Sequence, residues 1–443
     1  MNIAAILQSV LPPVKMVLLT ISYGFLALAL LAGIIRLLLI GRSTTLLKQH
    51  VRSLRSVDYR RFLDSEHVMP VSLILPALYD TDRLKEQVEN LLALDFKQYE
   101  LIVVADREHT NSWASLSKQY NLLPFHQPYK KTLKSAPIEA VYRSAKDVRL
   151  VVLDCRGASF AGALNAGVNL SLYPIIATAY PDLRLTKDAL LKTVYAFVSD
   201  PACLYIGSFA RIGDTADGLN RKNATLLSEE QYLERLRVFY SVSAGYSDLG
   251  LYLPLSHSFA AFLKSAVMES GGFSETAKAE GADLLLRIHA RMRREKRTYS
   301  VRLIPDTLCY QLPRKSMRGV RARIRAGKTE MQDTIRRNRS AAREIPGVND
   351  TRVAEKFWPA IEMIGVVTII FNGIVGVVTP LFTILYLLLG VFFGSVQTVL
   401  AALLEEYAFQ RQTDTGLLVR RYLIAVFSNF GFRLRTTLAR IFS

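Results

Sequence analysis

Apolar and polar positions follow three different rhythms along the chain. From Met16 to Ile35 no residue is charged, and leucine and isoleucine continue past Arg36. That run matches the ~20 residues a helix needs to cross a bilayer. A second uncharged run, Met363 to Leu404, is long enough for two helices, with Thr379 and Pro380 marking the turn between them. Between these regions, from Val71 to Pro346, the runs shorten and become β-branched. "VSLILP", "ELIVVAD", "RLVVLD", "YPIIATA" and "CLYIGSFARI" read as strands buried on both faces, because such strands are apolar at nearly every position. "TDRLKEQVENLLAL" has helical period, with Leu84, Val88, Leu91 and Leu92 on one face, so strand, helix and strand form a right-handed crossover. The pattern predicts an α/β domain with an open, mostly parallel sheet whose ligands lie beyond the carboxyl ends of the strands, together with transmembrane helices.

The divisions that follow are an amino-terminal segment over 1–15, a first span over 16–40 and a basic linker over 41–68. The α/β domain is expected over 69–310, amphipathic interfacial helices over 311–356, spans over 357–379 and 381–404, and a tail over 405–443. Charge orients this arrangement. The formal net charge is +18, and Arg42, Lys48, Arg52, Arg55, Arg60 and Arg61 follow the first span. Arg411, Arg420, Arg421, Arg433, Arg435 and Arg440 follow the last. Basic residues flank cytoplasmic ends, so the amino terminus is expected outside, with the domain and carboxyl terminus inside. The first run is too long for a signal-peptide core, so an uncleaved span is expected. In "RKSMRGVRARIRAGKTEMQDTIRRNRS", Met317, Val320, Ile324, Met331 and Ile335 recur at helical steps opposite arginine and lysine, a pattern suited to an anionic leaflet. No recognisable nucleic-acid motif or interleaved aromatic platform accompanies it, so no nucleic-acid partner is expected. Cys155, Cys203 and Cys309 are scattered without metal-ligand spacing and read as buried thiols in a reducing compartment. Glu362 reads as an interfacial acid, His289 as a partly buried polar residue, and the glycine and asparagine of "FNGIVG" as allowing close helix packing.

Several stretches, in order, resemble the membrane-bound, processive family-2 glycosyltransferases, the group of cellulose and poly-N-acetylglucosamine synthases. "VSLILPALYD" resembles their opening strand and "LLALDFKQYELIVVAD" the second strand with its nucleotide-binding aspartate. "GALNAGV" resembles the Ala-Leu-Asn-Ala-Gly turn, and "DLRLTKDAL" the segment after the metal-binding Asp-x-Asp. "LSHSFAAFLKSAVMESGGF" resembles the acceptor-side strand and its Gly-Gly-Phe, and "SNFGFRLRTTLARI" a common ending. The resemblance runs from Val71 to the end of the chain. It implies a GT-A-like (nucleotide-diphospho-sugar transferase) domain in a bacterial inner membrane, in cell-surface polysaccharide synthesis. It also implies nucleotide contacts from Pro76, Asp80, Asp106 and Asn165, and an acceptor or diphosphate region at Arg321 and Arg323.

Sugar transfer from a nucleotide diphosphate needs a cation for the leaving group, a base for the acceptor hydroxyl, and groups that hold both substrates. Against the family pattern, Ala105 stands before Asp106, where a second aspartate is frequent. Only Asp182 remains of the Asp-x-Asp, with Tyr180 at its first acid. "AEGADLLLRI" keeps Glu280 and Asp283 but puts Gly281 at the base, and glycine takes no proton. "VRARI" keeps Arg321 and Arg323 but lacks the glutamine and tryptophan of the family motif, and Phe160 stands where lysine is common. Three readings follow. The chain is a degenerate subunit partnering an active synthase or another polysaccharide-synthesis component. Alternatively it is an active UDP-sugar transferase using Mg²⁺ or Mn²⁺, with Glu280 as a moved base or Asp283 as a substitute. The third is a nucleotide-sensing module without turnover.

Overall fold

A computed structural model describes residues 3–56, 59–63, 65, 68–78, 84–107, 112–215, 219, 224–248, 259–340, 363–409, 415–428, 432 and 435–436. The described residues form a sheet of ten strands: β1 (Val71–Ala77), β2 (Tyr99–Ala105), β3 (Leu122–Pro124), β4 (Ala140–Ser144), β5 (Leu150–Asp154), β6 (Ile175–Thr178), β7 (Arg184–Leu185), β8 (Cys203–Ile212), β9 (Ala260–Leu263) and β10 (Ser300–Gln311). Their spatial order is β3-β4-β5-β2-β1-β6-β9-β8-β10-β7. The core strands β5, β2, β1 and β6 run parallel. β9 lies antiparallel between β6 and β8, which restores β8 and its parallel partner β10 to the direction of β6. The carboxyl ends of all six strands therefore share one edge.

The continuous apolar runs are explained by burial on both faces. From β1, Val71, Leu73, Leu75 and Ala77 enter one core, with the helices Leu84–Leu92 and Ala189–Val198. Ile74 enters the other, beneath the helices Phe160–Leu170, Leu226–Val238 and Glu280–Arg294. The five strands read from the sequence are β1, β2, β5, β6 and β8. β9 lies in the stretch that resembles the family's acceptor-side strand, and the other strands lack a clean apolar run. β3 and β4 lie at the margin and are largely half-buried or exposed, β7 is two residues long, and β10 is broken by Pro305 and by register shifts on either side of Thr307.

The first helix spans Ile3–Ser56, so residues 41–56 continue it where a linker was expected. The reason is tertiary: this half of the helix packs on the domain. Leu47 is in the sheet's core, Ser43 donates to the carbonyl of Tyr240 at 2.5 Å, and a Cβ on Gly245 would lie 2.7 Å from the carbonyl of Leu39. Two helices, Pro12–Ser53 and Pro380–Phe409, are long and apolar enough to cross a membrane. A shorter apolar helix, Met363–Ile374, precedes the second. The Pro380 helix begins where proline is best tolerated, with the Thr379 hydroxyl accepting from the Phe382 amide. The three helices pack closely: Asn372, fully buried, donates to the Ser22 hydroxyl at 2.9 Å, and a Cβ on Gly373 would meet Thr383 Oγ1 at 2.5 Å. Outward they carry large exposed apolar side chains such as Met16, Leu38, Ile374 and Leu381. Glu362 and Asp80 lie outside the described residues.

Two buried ion pairs fasten the α/β domain to the carboxyl-terminal helices. Arg211 of β8, 1% exposed, pairs with Glu405 of the Pro380 helix, whose carboxylate also accepts from the Tyr240 hydroxyl at 2.6 Å. Arg421, on the helix Thr415–Phe427, pairs with fully buried Glu229 at 3.0 Å and lies over the Tyr232 ring. Removing one partner of a buried pair leaves an uncompensated charge, which costs roughly 3–5 kcal/mol. We expect Glu405→Ala to lower stability by about that amount, and Tyr240→Phe by about 1–3 kcal/mol. Thermal unfolding of the detergent-purified protein tests the ranking, and equal losses would refute it.

Candidate functional site

The strand ends assemble the site. Ala77, Ala105 and Asp154 are aligned across β1, β2 and β5, which sets Pro76, Asp106 and Asp154 along one edge. β1 has β2 on one side and β6 on the other, and such switch points are where open α/β sheets hold ligands. Buried Asp106 accepts from the Gly157 amide at 2.9 Å, and Asp154 from the Arg107 amide at 3.1 Å.

Tyr180 and Asp182 sit in the turn after β6. The side chain of Gln87 donates to the carbonyls of Tyr180 and Leu183, at 3.3 and 2.5 Å. Asn90 bonds the amide and carbonyl of Leu185. The apolar helix between β1 and β2 thus holds the turn from beneath. Opposite, Phe160 opens the helix Phe160–Leu170, which is capped by the Ser159 hydroxyl accepting from the Gly162 amide at 3.0 Å. The rings of Phe160 and Tyr180 stack, with centroids 5.4 Å apart and planes 12° from parallel. Among the described residues a Cβ built on Gly281 would meet a single neighbour within 4 Å, the Tyr180 hydroxyl at 3.8 Å. Phe160, Tyr180 and Gly281, the three residues that the resemblance set against a lysine, a metal acid and a base, therefore meet at one place. Burial, and then the charge of nearby Glu280, push the Tyr180 phenol above its ordinary pKa, so it stays protonated at neutral pH.

Other sequence candidates serve the scaffold. Asn165, 2% exposed, donates to the carbonyls of Lys134 at 2.8 Å and Phe273 at 2.9 Å, and accepts from the Phe273 amide at 2.8 Å. Its amide thereby pins the Gly-Gly-Phe turn, in which Gly272 has φ +72°. Asp283, 3% exposed, accepts from Arg287 at 2.9 Å and Asn338 at 2.8 Å. Arg287 in turn donates to the carbonyls of Ser270 and Gly272. His289 is buried and bonded through Nδ1 to the Tyr299 hydroxyl at 2.7 Å. Burial lowers its pKa to about 4, so it is neutral near pH 7. Glu280 is the first residue of its helix and half-buried.

Asp182 has a cationic setting. Its carboxylate is bonded by the Gln311 amide and faces Arg323 at 3.7 Å and Arg314 at 3.8 Å. Arg323 is half-buried, whereas Arg321 is exposed on the same helix, Met317–Arg337. That helix turns Val320, Thr334 and Ile335 onto the protein itself and leaves Arg318, Arg321, Arg325 and Arg336 outward. The sequence pointed to neither Gln311, Arg314 nor Arg235. Gln311 ends β10, whose broken pattern hid it, Arg314 follows that strand, and Arg235 lies on a helix with no motif. Among the described residues no three His, Cys, Asp or Glu side chains form a group able to hold a metal. A lone carboxylate already facing two guanidiniums, beside a neutral phenol, does not fit Mg²⁺ or Mn²⁺, which favour several charged oxygens.

No protein-family model matches the chain. It is 19% identical over 266 residues to the poly-beta-1,6-N-acetyl-D-glucosamine synthase of Staphylococcus aureus strain MSSA476, covering 60% of this chain and 55% of that protein. It is 20% identical over 258 residues to the synthase of the same name from Staphylococcus epidermidis, covering 58% and 53%. The chain spans about half the length of these curated relatives. Among solved structures it is similar to the mannosyltransferase PcManGT from Pyrobaculum calidifontis in complex with GDP-Man and Mn²⁺, with TM-score 0.50 and 14% identity over 89% of this chain and 99% of that one. The α/β domain has the GT-A glycosyltransferase fold, and the chain is distantly related to family-2 synthases.

The two glycines of this region separate space from conformation. Gly281 is helical with room for a side chain, so Gly281→Ala should raise stability by up to about 1 kcal/mol. At Gly272 a Cβ would lie 2.5 Å from Asn165 Oδ1 and φ is positive, so Gly272→Ala should cost roughly 1–2 kcal/mol or more. Paired unfolding curves check both signs.

Proposed function

We propose that this distant relative of poly-N-acetylglucosamine synthases is a membrane-held, GT-A-fold subunit of bacterial cell-surface polysaccharide synthesis that has lost sugar transfer. The observation that carries this reading is the Phe160–Tyr180 stack beside Gly281. General-base catalysis needs a group that takes a proton within hydrogen-bond reach of the acceptor. A glycine has none, and a phenol held protonated is not one. The stack also puts apolar surface where the family pattern has a metal acid and a lysine. A subunit that pairs with an active synthase keeps the scaffold, the spans and the interfaces without needing the chemistry. The reading takes the long apolar helices as spans of a bacterial inner membrane, with the amino terminus outside and the domain and carboxyl terminus inside, the orientation that the charge bias favours.

A second reading has one observation in its favour: Glu280 lies close enough to Tyr180 to raise its pKa. For Glu280 to serve as base, the acceptor must shift by about one residue, roughly 3.5 Å. A misplacement of that kind costs ~100-fold in rate.

Two measurements test the proposal. Nucleotide-diphosphate release from a panel of nucleotide-sugars, in membranes lacking other synthases, should be absent from the wild type. Restoring Tyr180→Asp with Gly281→Asp should recover little. Clear wild-type release that collapses in Glu280→Gln, by the ~100- to 10,000-fold typical of a lost base, would overturn the reading. Separately, reporter fusions near Gly218 and at the carboxyl terminus should both report cytoplasm. A periplasmic signal at Gly218 would refute the orientation.

A further inference from the structure

We propose that Arg235, Arg314 and Arg323 bind a diphosphate group directly, with no divalent cation. The inference rests on the reading above only in taking the site to lack a metal, and it names the ligand chemistry that such a site retains.

The first argument is unmet hydrogen-bonding capacity. Arg235 donates through Nε to the carbonyl of Ala210 at 3.2 Å, but its Nη2 is buried with no hydrogen-bond partner among the described residues. A buried charged donor without an acceptor is costly, and a ligand oxygen removes that cost. Arg314 and Arg323 approach Asp182 only at 3.8 and 3.7 Å. Charge-assisted bonds to carboxylate lie nearer ~2.7–2.9 Å. These loose pairs leave both guanidiniums with donors to spare. The Asp182 side chain is 47% exposed, so water screens its hold on them.

The second argument is mutual repulsion. Burial and then the charge of Arg323 lower the Arg235 pKa to about 10. Burial lowers that of Arg323 too, with Arg314 adding to the effect while Asp182 and, more weakly, Glu330 oppose it. Guanidiniums gathered this closely, with too little acid to match them, favour an added anion. They equally disfavour an added Mg²⁺ or Mn²⁺. Several planar forks suit the many oxygens of a diphosphate, which they can engage in pairs.

The third is preorganisation. Gln231 and Arg235 are one turn apart on the helix Leu226–Val238. The Gln231 side chain accepts from the Arg314 amide and donates to its carbonyl, both at 2.9 Å. The same helix therefore presents one guanidinium and fixes the backbone of another. Arg323 is carried by a helix capped by Ser316, which accepts from the Gly319 amide at 3.2 Å. The group also stands at the carboxyl ends of β8 and β10, the edge that bears Asp106. Little ordering remains to be done on binding.

The diphosphate has two sources: a nucleotide, or a lipid-linked carrier from the adjoining bilayer. Calorimetry on the full-length detergent-purified protein, in EDTA, with UDP, inorganic pyrophosphate and farnesyl diphosphate as probes, separates them. We expect binding of at least one probe, unchanged when Mn²⁺ replaces EDTA and weakened roughly tenfold or more in Arg323→Gln and Arg235→Gln. Tightest binding of UDP assigns a nucleotide, and tightest binding of farnesyl diphosphate a lipid carrier. Arg314→Gln alters an exposed side chain, so its weaker binding keeps the test valid if Arg235→Gln fails to fold. Binding that requires Mn²⁺, binding indifferent to all three arginines, or no binding of any probe would overturn the proposal. Sugar turnover is a separate readout: turnover with metal-independent binding would sink the non-catalytic reading and leave this one standing, whereas failure to bind sinks this one alone.

Discussion

The buried pair between Arg211 and Glu405 is the contact on which the rest of the arrangement depends. An arginine 1% exposed at the end of β8 is tolerable only because a carboxylate from the long Pro380–Phe409 helix meets it. The Tyr240 hydroxyl holds that carboxylate from a second side. Sheet, long apolar helix and the π-helical turn Phe239–Ser243 are thereby locked in one register, since a shift of any of them leaves a charge buried alone. The first helix joins at the same point, through Ser43 and the carbonyl of Tyr240.

The helix Leu226–Val238 transmits this constraint to the site. Glu229 is tied to Arg421 on the helix Thr415–Phe427, while Gln231 and Arg235 bond the carbonyls of Arg314 and Ala210 at the strand ends. One short, capped element thus contacts both the carboxyl-terminal helices and the candidate site. Arg211 follows Ala210, whose carbonyl fixes Arg235, so the two charges are neighbours through the backbone as well.

At the strand ends, Phe160 and Tyr180 stack with ring centroids 5.4 Å apart, an arrangement that aromatic pairs favour. Glycine beside them fills no space that the stack needs. Such a pair is stable without ligand, which an unfilled cluster of carboxylates is not.

The sequence alone determined the features that depend on local runs and on order. Uncharged stretches marked the two long apolar helices, because twenty successive apolar residues have few other homes. Continuous apolar runs marked β1, β2, β5, β6 and β8, because both faces of these strands are covered. The order of the motifs named the fold, and Phe160, Tyr180 and Gly281 were visible as departures from it. Only the tertiary structure decided that these three meet, since they lie on three separate segments joined by no local pattern. It alone assigned Asn165 and Asp283 to holding backbone turns, because their partners, Phe273 and Asn338, are distant in the chain. It also extended the first helix to Ser56 by packing it on the domain. Arg235 carried no sequence signal at all, and Arg314 only that of a basic stretch. A charged residue reads the same whether it meets water or a buried neighbour, and what distinguishes the two is a long-range contact.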